Sequence, residues 1–260
     1  MNRSIFLFLS MFLSLSCSTA ESVESFGKGL VVPENFAPQN VTSVKSLAGL
    51  PSEFDARTKA KFSPIENQGS CGSCWAFSMS ATIQDSIAYQ LGESFDTSEQ
   101  HVLSCTRPRE YSCRGGFFDY NRHMEPFGGV LGSEWKYSGR DEPCRSNLNH
   151  KIKIQSRSYL PGKDKPSNDE IKAAIFQYGI VSVGVAADNA FSRYRGGVFK
   201  GYARGLNHAV NLVGWNDAGQ YWILKNSWGT GWGEKGYMRI SYGSNAVGAW
   251  ANYVVFEKKK

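Results

Sequence analysis

The chain has 260 residues, of which 41% are hydrophobic and 20% charged. That is enough for one large domain or two small ones and excludes a disordered polypeptide. The net charge is +6, part of it in the Lys258-Lys259-Lys260 tail; with no long basic run or arginine-rich stripe, the balance does not point to nucleic acid.

Residues 1–20 read as a secretory signal. Asn2-Arg3 gives a positive start, Ile5 to Leu15 an apolar core, and Ser18-Thr19-Ala20 the small residues of a cleavage site. The apolar run is shorter than the roughly 20 residues a membrane span needs, so no stable membrane insertion is expected. Lipidation of Cys17 is a poor match to the known motifs. The expected location is the secretory pathway: extracellular or a lysosome- or vacuole-like compartment in a eukaryote, periplasmic or secreted in a bacterium.

Losing the signal removes Cys17 and leaves five of six cysteines. In an oxidising compartment five divides into two disulfides and one free thiol. Residues 21–49, broken by Pro33 and Pro38, read as a short leader removed in maturation or a loosely packed arm. Asn40-Val41-Thr42 is a glycosylation sequon if the host is eukaryotic. The folded part opens near Leu50-Pro51.

A glycine-rich turn at Asn67 to Ser73 leads into a helical pattern. Trp75, Met79, Ile83 and Ile87 recur every fourth residue, Leu91 extends that face, and Gly92 is the stop. Cys74 thus lies at a helix N-terminus, where unpaired N–H groups and the helix dipole favour a thiolate. A second short helix begins at Asp96 to Gln100, capped by Thr97 or Ser98, and ends near Cys105. Cys113-Arg114-Gly115-Gly116 is a turn, Phe117 to Met124 a possible third helix, and Gly128 to Asn149 loop-rich.

The second half changes character. Ser167 to Glu170 fits a capping box before a helix from Ile171 to Tyr178, with Gly179 as stop. Strand patterns follow at Val181–Val185, Ala209–Trp215, Tyr221–Lys225, Gly236–Ile240 and Ala251–Phe256, with a turn at Asn216 to Gly219. Helices first and strands later imply an α+β protein with a helical lobe, residues 50–155, and a barrel-like lobe, residues 156–260.

A thiol nucleophile needs a base, an orienter for that base, and donors for an oxyanion. Of the four histidines, His101 and His123 fall in helical patterns and His150 in a polar loop; they read as surface or structural residues. His208 opens an apolar strand, and Asn226 ends the next one in Lys225-Asn226-Ser227-Trp228. Adjacent strands then offer both to one cleft.

These motifs carry a specific resemblance. Gln68-Gly69-Ser70-Cys71-Gly72-Ser73-Cys74-Trp75, Cys113-Arg114-Gly115-Gly116, Asn207-His208-Ala209 and Asn226-Ser227-Trp228-Gly229-Thr230-Gly231-Trp232-Gly233 resemble the papain family of cysteine peptidases over roughly residues 50–256. The distance 208 − 74 = 134 lies within the family's loose window of about 130–150 residues, and 226 − 74 = 152 just outside it.

The resemblance implies a two-lobed fold with its active site in the cleft, and an endopeptidase acting through a thioester. Cys74 is then the nucleophile, His208 its acid–base partner, Asn226 the imidazole orienter and Gln68 an oxyanion donor, with Trp228 covering the His208–Asn226 bond. Gly115, Gly116, Phe117, Phe118, Gly184, Leu206, Asn207 and Ala209 would line the substrate site, with an apolar preference two residues before the cut. Asn252 would lie near the pocket floor. The implied disulfides are Cys71–Cys113 and Cys105–Cys144. No metal or cofactor is implied; the expected partners are protein and peptide substrates and proteinaceous inhibitors, and the expected state is a monomer.

The chain also departs from the family. Its leader is short beside the usual helical prodomain, and cysteines for a common third disulfide are missing, near Asn207 and Val247. Other readings are an exopeptidase of the same family, an inactive peptide-binding homologue, a redox dithiol at Cys71-Gly72-Ser73-Cys74, and half of a zinc site. No thioredoxin-like pattern flanks that motif, and Cys105, Cys113 and Cys144 form no second C-x-x-C.

Overall fold

The computed structural model describes residues 26–38, 40–44, 49–106, 111–118, 129–162 and 166–256. The signal sequence, the first five leader residues, most of the expected third helix with His123, and the lysine tail lie outside the described residues. Phe117 and Phe118, where that helix was expected to begin, are in no helix.

Helix α1 runs from Cys74 to Leu91 and stops at Gly92, whose φ of 75° is the left-handed conformation that glycine adopts without strain. Helix α2 (Glu99–Cys105) is capped by Ser98, whose side chain accepts from His101 N. Helix α3 (Asn168–Tyr178) starts with a complete Ser167/Glu170 capping box. A one-turn helix, Asn189–Ser192, follows the strand beyond it.

The strands are β1 (Glu53–Asp55), β2 (Ser156–Tyr159), β3 (Val181–Val185), β4 (Val198–Phe199), β5 (His208–Asn216), β6 (Tyr221–Lys225), β7 (Tyr237–Ser241) and β8 (Ala249–Val255). They form one sheet in the order β2-β8-β3-β5-β6-β7-β4. β5 is its hinge: residues 208–212 pair with β3, and residues 214–216 pair with β1. β5 and β6 are antiparallel, with Asn211 opposite Lys225. The start of β5 and the end of β6 therefore meet at one end of the sheet, bringing His208 and Asn226 together.

Two apolar cores result. One joins the sheet to α3 through Ile171, Ile175, Val183, Leu212 and Trp222. The other joins α1 to α2 through Trp75, Met79, Ile83, Ile87, Val102 and Leu103. The four-residue repeat thus faces the second core, but the neighbouring face of α1, with Ser78, Thr82 and Asp85, is buried too. That face is polar and sits against the sheet. Ser78 Oγ donates to Val210 O, Asn211 Nδ2 donates to Thr82 Oγ1 and to Ser78 O, and Thr82 Oγ1 bonds Ser182 Oγ. Periodicity misses this seam because its residues look like a solvent-facing side.

The seam ends in a buried ion pair, Lys225 Nζ to Asp85 Oδ2 at 2.7 Å, with side chains 4% and 0% exposed. Asp85 Oδ1 accepts from Ser63 N, and Lys225 Nζ also donates to Ser63 O and Oγ. Removing one partner strands a charge in the interior, so Asp85→Ala should destabilise the fold by roughly 3–5 kcal/mol, read as a lower denaturant midpoint. An unchanged midpoint would show that the pair adds nothing to the seam.

Candidate active site

The turn before α1 is held from two sides. The Cys71–Cys113 disulfide ties it to the glycine turn, with Cα atoms 4.6 Å apart, and Gly72 N donates to Cys113 O. A second disulfide joins Cys105 to Cys144, and Cys74 is free and fully buried. Ser73 Oγ bonds Tyr137 Oη at 2.7 Å, and that hydroxyl donates to Gln68 O. Gln68 is 0% exposed. Its Oε1 accepts from Ser227 Oγ and its Nε2 donates to Cys71 O, which leaves its second amide hydrogen uncommitted to that bond.

On the sheet side, His208 Nε2 lies 2.8 Å from Asn226 Oδ1. A carbonyl oxygen only accepts, so the proton sits on Nε2 and Nδ1 carries the lone pair of the neutral ring. Trp228 stacks on the imidazole at 4.5 Å, and Phe191 meets the same ring edge-on at 6.3 Å. The Cys74 sulfur is reached by the backbone N–H of Ala209, the residue after His208. Thiol, imidazole and amide thus converge where the N-terminus of α1 meets the ends of β5 and β6.

The cleft is not open to solvent, because residues 26–36 of the same chain run through it. Phe26 stacks on Trp228 at 4.6 Å, and Trp228 Nε1 donates to Gly27 O. Gly27 N donates to Gly69 O, Leu30 N to Asn207 O, and Val31 N to Gly116 O, while Gly116 N donates to Gly29 O. The pairing of Leu30 with Gly116 is parallel. The backbone N–H of Gly29 also reaches the Cys74 sulfur. Gly27 and Gly29 lie so close to the 69–72 turn that a Cβ at either would collide with a carbonyl there, that of Cys71 or Gly72.

Leu30 is 3% exposed and packs in one cluster with Ala209, Ala249 and Trp250, beside Gly184 and Leu206. Phe36 lies edge-on to Phe117 at 4.8 Å and to Trp250 at 5.5 Å. Phe117 and Phe118 are buried beneath this covering, and Gly115 opens the turn that carries them, with its backbone against Gly29. Trp250 is the pocket residue that the sequence did not single out. It sits at φ 56° within β8, one residue before the run Ala251–Phe256 that reads as a strand, and an outlying φ in a bulky residue leaves no trace in composition or periodicity. Asn252 is buried and donates to Trp250 O.

Burial sets the protonation states. It pushes the Cys74 thiol up to about 11, against the lowering effect of the surrounding backbone N–H groups. It pushes the His208 imidazole down to about 4, against the raising effect of Asn226. With the cleft covered, the pair is a neutral thiol and a neutral imidazole. Of the other histidines, His101 is buried beside Trp135 and His150, which accounts for it structurally.

These features define a class: a two-lobed α+β protein with a free thiol at the start of a helix in one lobe and a histidine–asparagine pair at the strand ends of the other. Comparison with known proteins is more specific. Residues 50–257 match the papain family cysteine protease domain, and the chain belongs to that family. It is 40% identical to a senescence-specific cysteine protease of Arabidopsis thaliana, over 79% of this chain and 59% of that one. It is 35% identical to a cathepsin L-like protein of Caenorhabditis elegans, over 75% and 60% respectively. The chain thus spans about three fifths of the length of these relatives. Among solved structures it resembles digestive procathepsin L2 of Tenebrio molitor larval midgut, with a TM-score of 0.79, 28% identity, and coverage of 92% of this chain and 81% of that one. It also resembles a Carica candamarcensis cysteine protease in complex with E-64, at TM-score 0.71, 35% identity, and coverage of 80% and 100%.

One buried acid near this lobe boundary gives a pH signature. Burial, reinforced by Glu66 and Asp96, raises Glu99 from 4.5 to about 8. Between those values the unfolded chain is ionised at this position and the folded one is not, so this group's contribution falls as pH rises through the window. Glu99→Gln should remove that fall. The denaturant midpoints of wild type and variant should diverge in the variant's favour from pH 5 to pH 8; parallel curves would refute the assignment.

Proposed function

We propose that this chain is a cysteine endopeptidase that cleaves protein and peptide substrates through a thioester on Cys74. The observation that carries the reading is the main-chain pairing of residues 27–31 with Gly69, Gly116 and Asn207 beside the thiol. A cleft that binds an extended segment by its backbone accepts a polypeptide of varied sequence. His208 Nδ1 takes the thiol proton, the thiolate attacks the carbonyl, and the oxyanion is met by Cys74 N–H and the second Gln68 amide hydrogen. The imidazolium, held by Asn226, protonates the leaving amine, and water then hydrolyses the thioester. Replacing Cys74 with Ala should lower peptide hydrolysis by at least about a thousandfold. Substantial residual turnover would refute the role of the thiol.

In the same reading, residues 1–20 are a signal, residues 21–49 a leader, and residues 50–155 and 156–260 the helical and barrel-like lobes. The enzyme acts as a monomer in a secretory, lysosome-like or extracellular compartment, and proteinaceous inhibitors are its natural antagonists. Leu30 beside Gly184, Leu206 and Ala209, with Trp250 in the same cluster, supports an apolar residue two before the cut. Among the described residues packed with Leu30 none is acidic, so Arg or Lys is not favoured there. Internal cleavage is tested with a peptide blocked at both ends. Its kcat/KM should stay within a few-fold of the unblocked peptide, and near-abolition by either block would favour an exopeptidase.

The leader keeps the enzyme latent by occupying the cleft and holding the thiol neutral. In a chain that retains the leader, iodoacetamide should label Cys74 slowly at neutral pH. Gly29→Val, which drives a side chain into the Gly72 carbonyl, should speed labelling at least about tenfold, because the thiol regains solvent and the helix dipole. Equal rates in the two proteins would show that the leader does not control the thiol.

A further inference from the structure

Between Asp188 and Asp217 the chain carries Arg193, Arg195, Lys200 and Arg204 and not one Asp or Glu. All four cations are exposed. Among the described residues none of them is in an ion pair. The nearby carboxylates are already committed. Glu234 accepts from Arg239 Nε and Nη2 and from Gly197 N, and Asp188 caps the one-turn helix by accepting from Phe191 N.

The segment is anchored. Its inward half is Phe191, Tyr194 and Phe199, packed on one another and on Trp232. β4 pairs with β7, Gly201 N donates to Ser244 Oγ, and Ala203 N donates to Asn245 Oδ1. The cations are the outward half of a fixed rim.

The rim also has a defined place beside the cleft. It leaves from Phe191, which touches both His208 and Trp228, and returns at Asn207, whose carbonyl binds Leu30 N. The leader gives the order along the cleft: Phe26 at Trp228, Gly29 at Cys74, Leu30 at the apolar pocket. If that pocket takes a residue before the cut, residues after the cut leave at the Trp228 end, where the rim begins. In sequence, the five residues that lead into Phe26 are Glu21-Ser22-Val23-Glu24-Ser25, two glutamates and no cation.

We propose that this rim selects protein substrates with an acidic segment a few residues after the cut. The proposal rests on the endopeptidase reading above. Four unpaired cations on one side of a cleft attract a polyanionic segment at long range, and the attraction weakens with salt. The gain enters through encounter and binding rather than through the chemical step.

The test uses leader-free enzyme and two doubly blocked peptides with the same residues before the cut. One carries Asp and Glu at the second to fifth positions after it, the other Asn and Gln. A third substrate ends in a fluorogenic leaving group directly after the cut. At low ionic strength the acidic peptide should have a kcat/KM about tenfold above its neutral twin, through KM, and 0.5 M salt should erase the difference. The combined variant R193Q/R195Q/K200Q/R204Q should lose the preference and keep its rate on the fluorogenic substrate within about twofold, which also reports that it folds. No preference in the wild type, or a preference that survives salt or the variant, overturns the proposal. So does a rate response to a sulfated polysaccharide with none to the acidic peptide. Failure to cleave the fluorogenic substrate at all would instead refute the endopeptidase reading.

Discussion

The site depends on the polar seam between α1 and β5. The thiol is on one lobe and its imidazole and amide are on the other, so their alignment is only as good as the contact between the lobes. An apolar contact would slide at little cost, because hydrophobic attraction has no direction. Here the contact is made by hydrogen bonds of Ser78, Thr82, Ser182 and Asn211, and by the Asp85–Lys225 pair. Each has a narrow geometry, and each would leave a buried polar group unsatisfied if the lobes shifted. Lys225 is adjacent to Asn226, so the ion pair fixes the strand end that presents the amide.

Two local devices refine this register. The Cys71–Cys113 bond ties the turn before α1 to the glycine turn, and the Gln68 side chain, with contacts to Cys71 and Ser227, joins it to the segment after β6. Trp228 lies over the imidazole, with Phe191 and Trp232 around it. Such a cover excludes water from the His208–Asn226 bond, and an unhydrated bond holds the ring more firmly than a solvated one.

In the proposed reading, the leader turns the same chemistry off without altering it. Thiol and imidazole keep their partners, but with solvent excluded neither charged form is favoured. Two glycines make this possible, because only a backbone without side chains fits against the 69–72 turn. In that reading a substrate is bound through the same main-chain groups, so the leader competes directly for them. The basic rim lies beside the cleft, where the proposed selection acts on arrival and not on the reacting atoms.

By itself the sequence determined the elements and the chemistry. Helix spacing and capping at Cys74–Gly92 and Ser167–Gly179, and the strand patterns at 181–185 and 221–225, are local properties, legible from neighbours along the chain. The motifs around Cys74, His208 and Asn226 are local too, which made the candidate site readable in outline. The tertiary structure decided what depends on contacts between distant residues. The buried polar face of α1 looks solvent-facing in sequence and becomes a seam only when β5 is laid against it. β1 and β2, three and four residues long, carry too little periodicity to register as strands. Trp250 enters the pocket through a backbone angle, and the four cations become one rim because Tyr194 and Phe199 turn inward between them. The leader's path through the cleft was likewise invisible, because a Gly-Lys-Gly segment records its fit only against the surface that it covers.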